Sequence, residues 1–293
     1  MKVALTGSTG FVGSHILADL HAHGHDVTAL VRDDKQAEIV AAQGATPAVV
    51  DLYDRPAVVK VLGDTDGAVH TASPGDATSA DLDSAVVDAA IAAFDGTGKP
   101  YLHISGAWVF GTNTAINDDS PYDAPAMMSY REPIDRRVLD ASGLRGVVIV
   151  SSVAYGDGGG GVPGVVLGSP RDPSGNLIMI GTGQQHWSTV HVADLADVFR
   201  RVLESDSAQG RFVVGNGLHP TVAELTEAAA VATGAPGAVQ GSDEEARARL
   251  GDYFAEVLLL DQVTAATRAR SELGWQPTRP GLVDEFRDGS YRR

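Results

Sequence analysis

The sequence predicts an α/β protein built on a doubly wound, mostly parallel sheet with a smaller C-terminal lobe. Three observations predict it. Short apolar segments alternate with helical patterns through the first third of the chain, the signature of βαβ units. The first such segment runs straight into Gly7-Ser8-Thr9-Gly10-Phe11-Val12-Gly13, and that glycine-rich turn opens a helix. At 293 residues the chain can bury one large α/β core and a small extra lobe. Together these make the expected architecture Rossmann-type.

Each element has its own warrant. Val3–Thr6 reads as a short buried strand, and Ser14–His23 as a helix with Ile16, Leu17 and Leu20 on one face. Gly24 ends that helix, Asp26–Val31 is the next strand, and Lys35–Gln43 is a helix closed by Gly44. Thr46–Val50 is a strand ending at Asp51, Arg55–Leu62 a helix, and Gly67–Thr71 a strand. An alanine-rich helix over Leu82–Asp95 leads to a strand over Tyr101–Ser105. After Gly111 a polar stretch runs through Asp123, followed by a helix from about Tyr130 to Ala141 and a strand over Gly146–Val153. Gly156–Gly168 is a glycine-rich loop, too flexible for core and typical of a segment that covers a ligand. Thr189–Leu203 is strand-like and then helical, and Arg211–Gly215 is another strand. The tail carries helices over Val222–Thr233, Glu244–Phe254 and Ala265–Leu273. The expected division is 1–155 with 188–217 as a dinucleotide-binding domain, and 156–187 with 218–293 as a substrate lobe. No internal repeat is present.

Composition narrows the partners. Hydrophobic residues make up 43% of the chain, an ordinary value for a globular protein. Its formal charge of −16 repels nucleic acid and anionic lipid, so neither is an expected partner. The absence of cysteine excludes disulfides, thiolate metal sites and thiol nucleophiles. His70, His103 and His191 share no metal-ligand spacing, so no metal is expected. No apolar run approaches the ~18 residues of a membrane span. The first strand begins almost at Met1, which leaves no room for a signal peptide and makes a cytoplasmic protein the expectation.

The turn implies a phosphate ligand. Glycine is required where backbone turns tightly, approaches a pyrophosphate, or packs helix on strand. The helix N-terminus adds unpaired N–H groups and partial positive charge. Its spacing is one residue wider than Gly-x-Gly-x-x-Gly, but its place between first strand and first helix is the required one. Gly7, Ser8, Thr9, Gly10, Phe11, Val12 and Gly13 are therefore the core of a nucleotide site. An acidic residue ending the second strand would bind the ribose hydroxyl of NAD; Arg32 holds that place instead, with Lys35 close behind. A guanidinium grips a phosphate with paired hydrogen bonds, so the cofactor expected is NADP(H), with NAD(H) second. Asp33 and Asp34 stand beside Arg32, and a small shift would put a carboxylate in its place.

At this point the chain resembles the extended short-chain dehydrogenase/reductase superfamily, of the NAD-dependent epimerase/dehydratase kind, nearly end to end. Thr6 to Gly13 matches its turn, and Asp51-Leu52 its adenine-contacting pair. Val69-His70-Thr71-Ala72-Ser73-Pro74 resembles the fourth-strand end, in the form of the reductase branch, and puts Thr71, Ala72 and Ser73 at the cofactor. Ser105-Gly106-Ala107-Trp108-Val109-Phe110-Gly111 resembles the segment that carries the catalytic serine or threonine. His191–Ala196 and Glu272–Pro277 match two further recurring segments. The resemblance implies a serine or threonine, a tyrosine, and a lysine one helical turn later. Aligned on Gly111, Gly106 falls at the serine position with Ser105 just before it. Tyr130 falls at the tyrosine and Ile134 replaces the lysine, which makes an atypical triad.

Ser129-Tyr130-Arg131-Glu132 reads as a capping box that places Tyr130 at a helix start. Arg136 or Arg137 is a candidate substitute for the missing cation, though both also read as surface residues. An unassisted phenol has a pKa of about 10, so near neutrality roughly one in a thousand is ionised. That favours Tyr130 as an acid protonating an alkoxide over a base starting an epimerase cycle. The implied reaction is NADPH-dependent reduction of a small carbonyl, enone or imine-like metabolite, with Tyr130 as proton donor and also at the cofactor. Ser105 or Ser152 would polarise the substrate oxygen. Where nucleotide-sugar relatives place an arginine, this chain has His186-Trp187-Ser188, so Trp108, Phe110 and Trp187 are candidates to line an apolar substrate pocket, unless they simply pack the core. The alternatives are a nucleotide-sugar epimerase or dehydratase and a non-catalytic NADP-binding sensor. The resemblance also implies a homodimer through helices near Tyr130.

Overall fold

The computed structural model describes residues 1–292. Its first half alternates as the periodicity requires. β1 (Lys2–Thr6), α1 (Phe11–Ala22), β2 (Asp26–Val31), α2 (Asp34–Ala42) and β3 (Thr46–Val49) come first. They are followed by α3 (Arg55–Gly63), β4 (Gly67–His70), α4 (Ser79–Phe94) and β5 (Pro100–Gly106). Then come β6 (Asn113–Ile116), α5 (Arg131–Leu139), β7 (Arg145–Ser151), β8 (Val153–Tyr155), α6 (Gly161–Leu167), β9 (Leu177–Ile178) and β10 (Thr189–His191). α7 (Val192–Glu204), β11 (Gly210–Val214), α8 (Val222–Thr233), β12 (Ala238–Val239), α9 (Asp243–Leu250) and α10 (Asp252–Leu258) follow. The last are β13 (Gln262–Thr264), α11 (Thr267–Leu273) and α12 (Leu282–Asp288).

Seven strands form one parallel sheet in the order β11-β7-β5-β4-β1-β2-β3. Parallel strands need crossovers that cover both faces, which is why these strands are apolar runs rather than alternating ones. On one face Leu5 and Val69 pack with Ile16 and Leu20 of α1 and Val198 and Phe199 of α7. On the other, Ala68 and Tyr101 pack with Val58 of α3, Val87 of α4 and Ile134 of α5. The chain runs outward from β1 to β3 and returns to β4 on the opposite side of β1. That reversal opens a crevice beyond the carboxyl ends of β1 and β4, the usual ligand position in such sheets.

A third apolar cluster joins α6, α8, α10 and α12 around Leu225, Leu258 and Phe286. Local chemistry sets its helices. Thr221 and Glu224 form a reciprocal capping box on α8, as do Ser242 and Glu245 on α9. The structure corrects several expectations. Glu244–Phe254 is two helices, α9 and α10, because Gly251 between them adopts φ +80°. The strand expected over Gly146–Val153 ends at Ser151, and Val153–Tyr155 turns away to pair with β10. Gly156–Gly168 contains α6, with Pro163 and Val166 buried, and so is partly core. β6 with β13, β9 with β12, and α12 carry no strong periodic signal, and the sequence reading missed them. Among the described residues, no helix is long and apolar enough to cross a membrane, and no group of three or more side chains could hold a metal ion.

Candidate active site

The turn after β1 is held by contacts that leave no space for side chains. Gly7 sits at φ +75°, and a Cβ there would meet the Ala72 nitrogen at 2.6 Å. The Gly10 amide donates to the Gly7 carbonyl at 2.9 Å and closes the turn. Among the described residues no side chain caps α1, which leaves the amides of its first turn without an acceptor. Ser8 adds a buried hydroxyl with no partner among the described residues. A bare helix N-terminus, an orphaned hydroxyl and glycines with no room for Cβ fit a pyrophosphate.

Thr6 ties this turn to the loop after β4. Its Oγ1 accepts from the amides of Thr71 and Ala72 at 3.3 and 3.4 Å, and the Thr71 hydroxyl donates to the Thr6 carbonyl at 2.8 Å. The Thr6 proton is then left for Nδ1 of His70, 2.6 Å away. A cleft of about 600 Å³ runs outward from the turn. It brings together Gly7, Ser8, Thr9, Gly10, Arg32, Asp51, Leu52, Thr71, Ala72 and Ser73 of the expected cofactor residues. Gln36 and Tyr53 also line it and were not singled out from the sequence.

The charges at its mouth sort themselves by capping. Asp33 accepts from the Gln36 amide at 2.8 Å and is the N-cap of α2. Asp34 lies inside α2, and Lys35 is exposed on that helix away from the cleft lining. Arg32 is 80% exposed, its Nε 3.7 Å from the Asp33 carboxylate. Phe11, Val12 and Gly13 also stand outside the lining. Gly13 backs onto Gly7, and Phe11 lies under Gly159, where a Cβ would meet its ring at 2.5 Å. The segment Gly156–Gly160 is thus pressed on the start of α1. Tyr291 accepts from the Gly156 amide at 2.7 Å and donates to the Gly159 carbonyl, Ser290 accepts from the Gly158 amide at 2.8 Å, and Asp157 pairs with His15 at 2.8 Å.

The candidate chemical groups stand outside that cleft's lining: Ser105 on β5, Tyr130, also expected at the cofactor, at the start of α5, and Ser152 just after β7. A side chain at Gly106 would enter open space, whereas Ser105 is buried and donates to Asp135 at 2.8 Å. Tyr122 donates to the same carboxyl oxygen at 3.2 Å. Burial, opposed by these hydrogen bonds and the Arg131 charge, pushes Asp135 up to about 6. His103, stacked on His70 at 5.3 Å, is held down to about 3 by burial and the neighbouring imidazole. Ser152 is also buried, in hydrogen-bond contact with Thr264 at 3.2 Å. Tyr130 is half-buried at the N-cap of α5, and burial raises its phenol pKa.

The expected capping box at Tyr130 does not form. The Ser129 hydroxyl donates back to the Ala126 carbonyl at 2.9 Å, and Glu132 pairs with Arg136 at 2.7 Å. Arg137 is tied to Ser84 at 2.8 Å and to Asp88, so neither basic residue supplies a cation at Tyr130. The guanidinium of Arg131 does, 5.2 Å from the Tyr130 ring centre. Its only sequence signal is adjacency to Tyr130, and its anchor Asp83 has none.

The three candidate aromatics are dispersed. Trp187 is 3% exposed, its indole donating to the Leu258 carbonyl at 3.1 Å. Phe110 is buried against Tyr122, with ring centres 5.9 Å apart. Trp108 is half-buried, edge-on to Phe254.

Known proteins resemble this chain in sequence and in overall fold. The model of the NAD dependent epimerase/dehydratase family matches residues 3–215. An uncharacterized protein of Schizosaccharomyces pombe, C2A9.02, is 26% identical over 99% of this chain and 100% of its own. A 3-diazoavenalumate denitrifying reductase of Streptomyces sp is also 26% identical, over 100% of both chains. The crystal structure of human epimerase family protein SDR39U1 (isoform2) with NADPH superposes with TM-score 0.77 at 21% identity, covering 99% of each chain.

Proposed function

This chain belongs to the NAD dependent epimerase/dehydratase family, and we propose that it is an NADP(H)-dependent oxidoreductase reducing a small carbonyl, enone or imine-like metabolite. Arg32 carries the reading of the cofactor. It is the cation at the cleft mouth, while Asp33, which would otherwise suit a ribose hydroxyl, is engaged as a helix cap. The human relative SDR39U1 was solved with NADPH and other structural neighbours with NAD, so the preference for NADP(H) rests on Arg32.

When bound, NADPH supplies the hydride. The residues of this chain then have three tasks. The α1 amides and Ser8 would hold the pyrophosphate, Arg32 the phosphorylated ribose, and the Thr71–Ser73 loop the middle of the cofactor. Tyr130 delivers the proton to the developing alkoxide. A phenol pushed above its usual pKa stays protonated at neutral pH, a poor base for oxidising an alcohol and a usable acid for finishing a reduction. The open space beside Gly106 and the half-buried face of Trp108 offer room for substrate near the end of β5. The Streptomyces relative, itself named a reductase, supports net reduction.

The test is calorimetric titration with NADPH and NADH, followed by NADPH oxidation against a panel of carbonyls, enones and imines. Tight NADPH binding with no oxidation across the panel would leave a binding protein. A rise in melting temperature with uridine or thymidine diphosphate would favour a nucleotide-sugar substrate. Sedimentation of the purified protein reads whether two copies assemble.

A further inference from the structure

We propose that Arg131 is a positioning residue: its guanidinium, anchored to α4 and β5 by Asp83 and the Ile104 carbonyl, sets the orientation and the local field of the Tyr130 phenol. Successive residues on a helix point about 100° apart and do not normally face each other. Arg131 meets its neighbour's ring because two other elements pull its side chain back. Nη1 donates to the Ile104 carbonyl at 3.4 Å and lies 3.8 Å from the Asp83 carboxylate. Arg131 is 14% exposed and Asp83 4%, so this pair gives up hydration that a solubilising charge would keep. One turn further along α5, Ile134 is buried and brings no charge.

Asp83 is itself held from the cofactor side. His70 has its Nδ1 taken by the Thr6 hydroxyl, so its proton sits on Nε2 and is donated to Asp83 at 3.1 Å. Thr6 also fixes the Thr71 and Ala72 amides. A continuous chain Thr6–His70–Asp83–Arg131 thus ties the nucleotide turn to the face of Tyr130. The charged groups acting on that phenol are Arg131, Asp83 and Asp135. Arg131 favours the phenolate and the two carboxylates oppose it, which gives the arrangement a sign that packing alone would not have.

The catalytic consequence rests on Tyr130 being the proton donor; the electrostatic pairing does not. The test uses full-length protein labelled with ¹³Cζ-tyrosine, with the Tyr130 signal assigned by Tyr130→Phe. Arg131→Met is expected to move the Tyr130 titration upward, with Arg131→Lys restoring much of the wild-type position. Under NADPH turnover, Arg131→Met is expected to lower kcat by about tenfold, with little change in KM for NADPH. A Tyr130 signal that stays put in Arg131→Met, or moves downward there, overturns the proposal. If Arg131→Met does not fold, Arg131→Gln, which keeps a polar side chain and removes the charge, carries the comparison. An upward shift in Arg131→Met together with full turnover in Tyr130→Phe would uphold the pairing and remove Tyr130 from the mechanism.

Discussion

Gly13 packs against the carbonyl of Gly7 so closely that a Cβ at residue 13 would lie 2.1 Å from that oxygen. The obstacle is backbone, which cannot swing aside as a side-chain tip would. Gly13→Ala therefore has to open the turn, and should cost about 1–3 kcal/mol of stability. Because opening it also misdirects the α1 amides, NADPH affinity should fall at least about tenfold. Urea unfolding and calorimetric titration check the two effects, and unchanged affinity would detach the turn from the nucleotide.

Arg32 and Asp33 divide the cofactor question between them. Arg32→Ala should weaken NADPH by about 1.5–3 kcal/mol, the range for a hydrogen bond to a charged group, and leave NADH nearly unchanged. Equal losses for the two nucleotides would refute the role given to Arg32. Asp33→Ala should instead cost about 1 kcal/mol of stability through the lost cap.

Tyr130→Phe removes the proposed proton and keeps the ring. Turnover should drop by about a hundredfold or more with NADPH affinity intact. Full turnover in that variant would mean that the tyrosine merely packs beside the site.

Asp135 makes stability depend on pH in a definite direction. Folding raises its pKa from 3.8 to about 6, so the stability it contributes when protonated is lost as pH rises through about 6. Asp135→Asn keeps an acceptor for Ser105 and escapes the charge. It should be more stable than wild type at about pH 8, on the order of 3 kcal/mol, and lose that advantage by about pH 4. His103 works the other way: its pKa is depressed to about 3, so its contribution is lost as pH falls below 6.5. His103→Phe should accordingly unfold less readily in acid than wild type. Urea midpoints across this pH range decide both.

Tyr291 pins the Gly156–Gly160 segment over α1 through two backbone groups. Tyr291→Phe leaves the Gly156 amide without its acceptor, at a cost of about 1–3 kcal/mol. Amide exchange in residues 156–160 should speed up while that in β1 and β4 does not. Uniform acceleration would point to global loosening instead.

The sequence by itself determined the sheet and the nucleotide turn. Both are written in local signals: apolar runs of strand length, helix-period faces, and glycines at positions that tolerate no Cβ. Asp51, Leu52 and Thr71–Ser73 are placed at the cofactor by the family resemblance, and they line the cleft just past β3 and β4. The tertiary structure alone decided which charges meet. Asp33 reads as a rival to Arg32 until α2 forms and Gln36 takes its carboxylate. Ser105 reads as a free hydroxyl until α5 brings Asp135 across to it, and Arg131 as an ordinary helix cation until Asp83 of α4 holds it over Tyr130. A buried charge is fixed by its partner's position in space, and these partners lie on different elements at separations that periodicity does not encode.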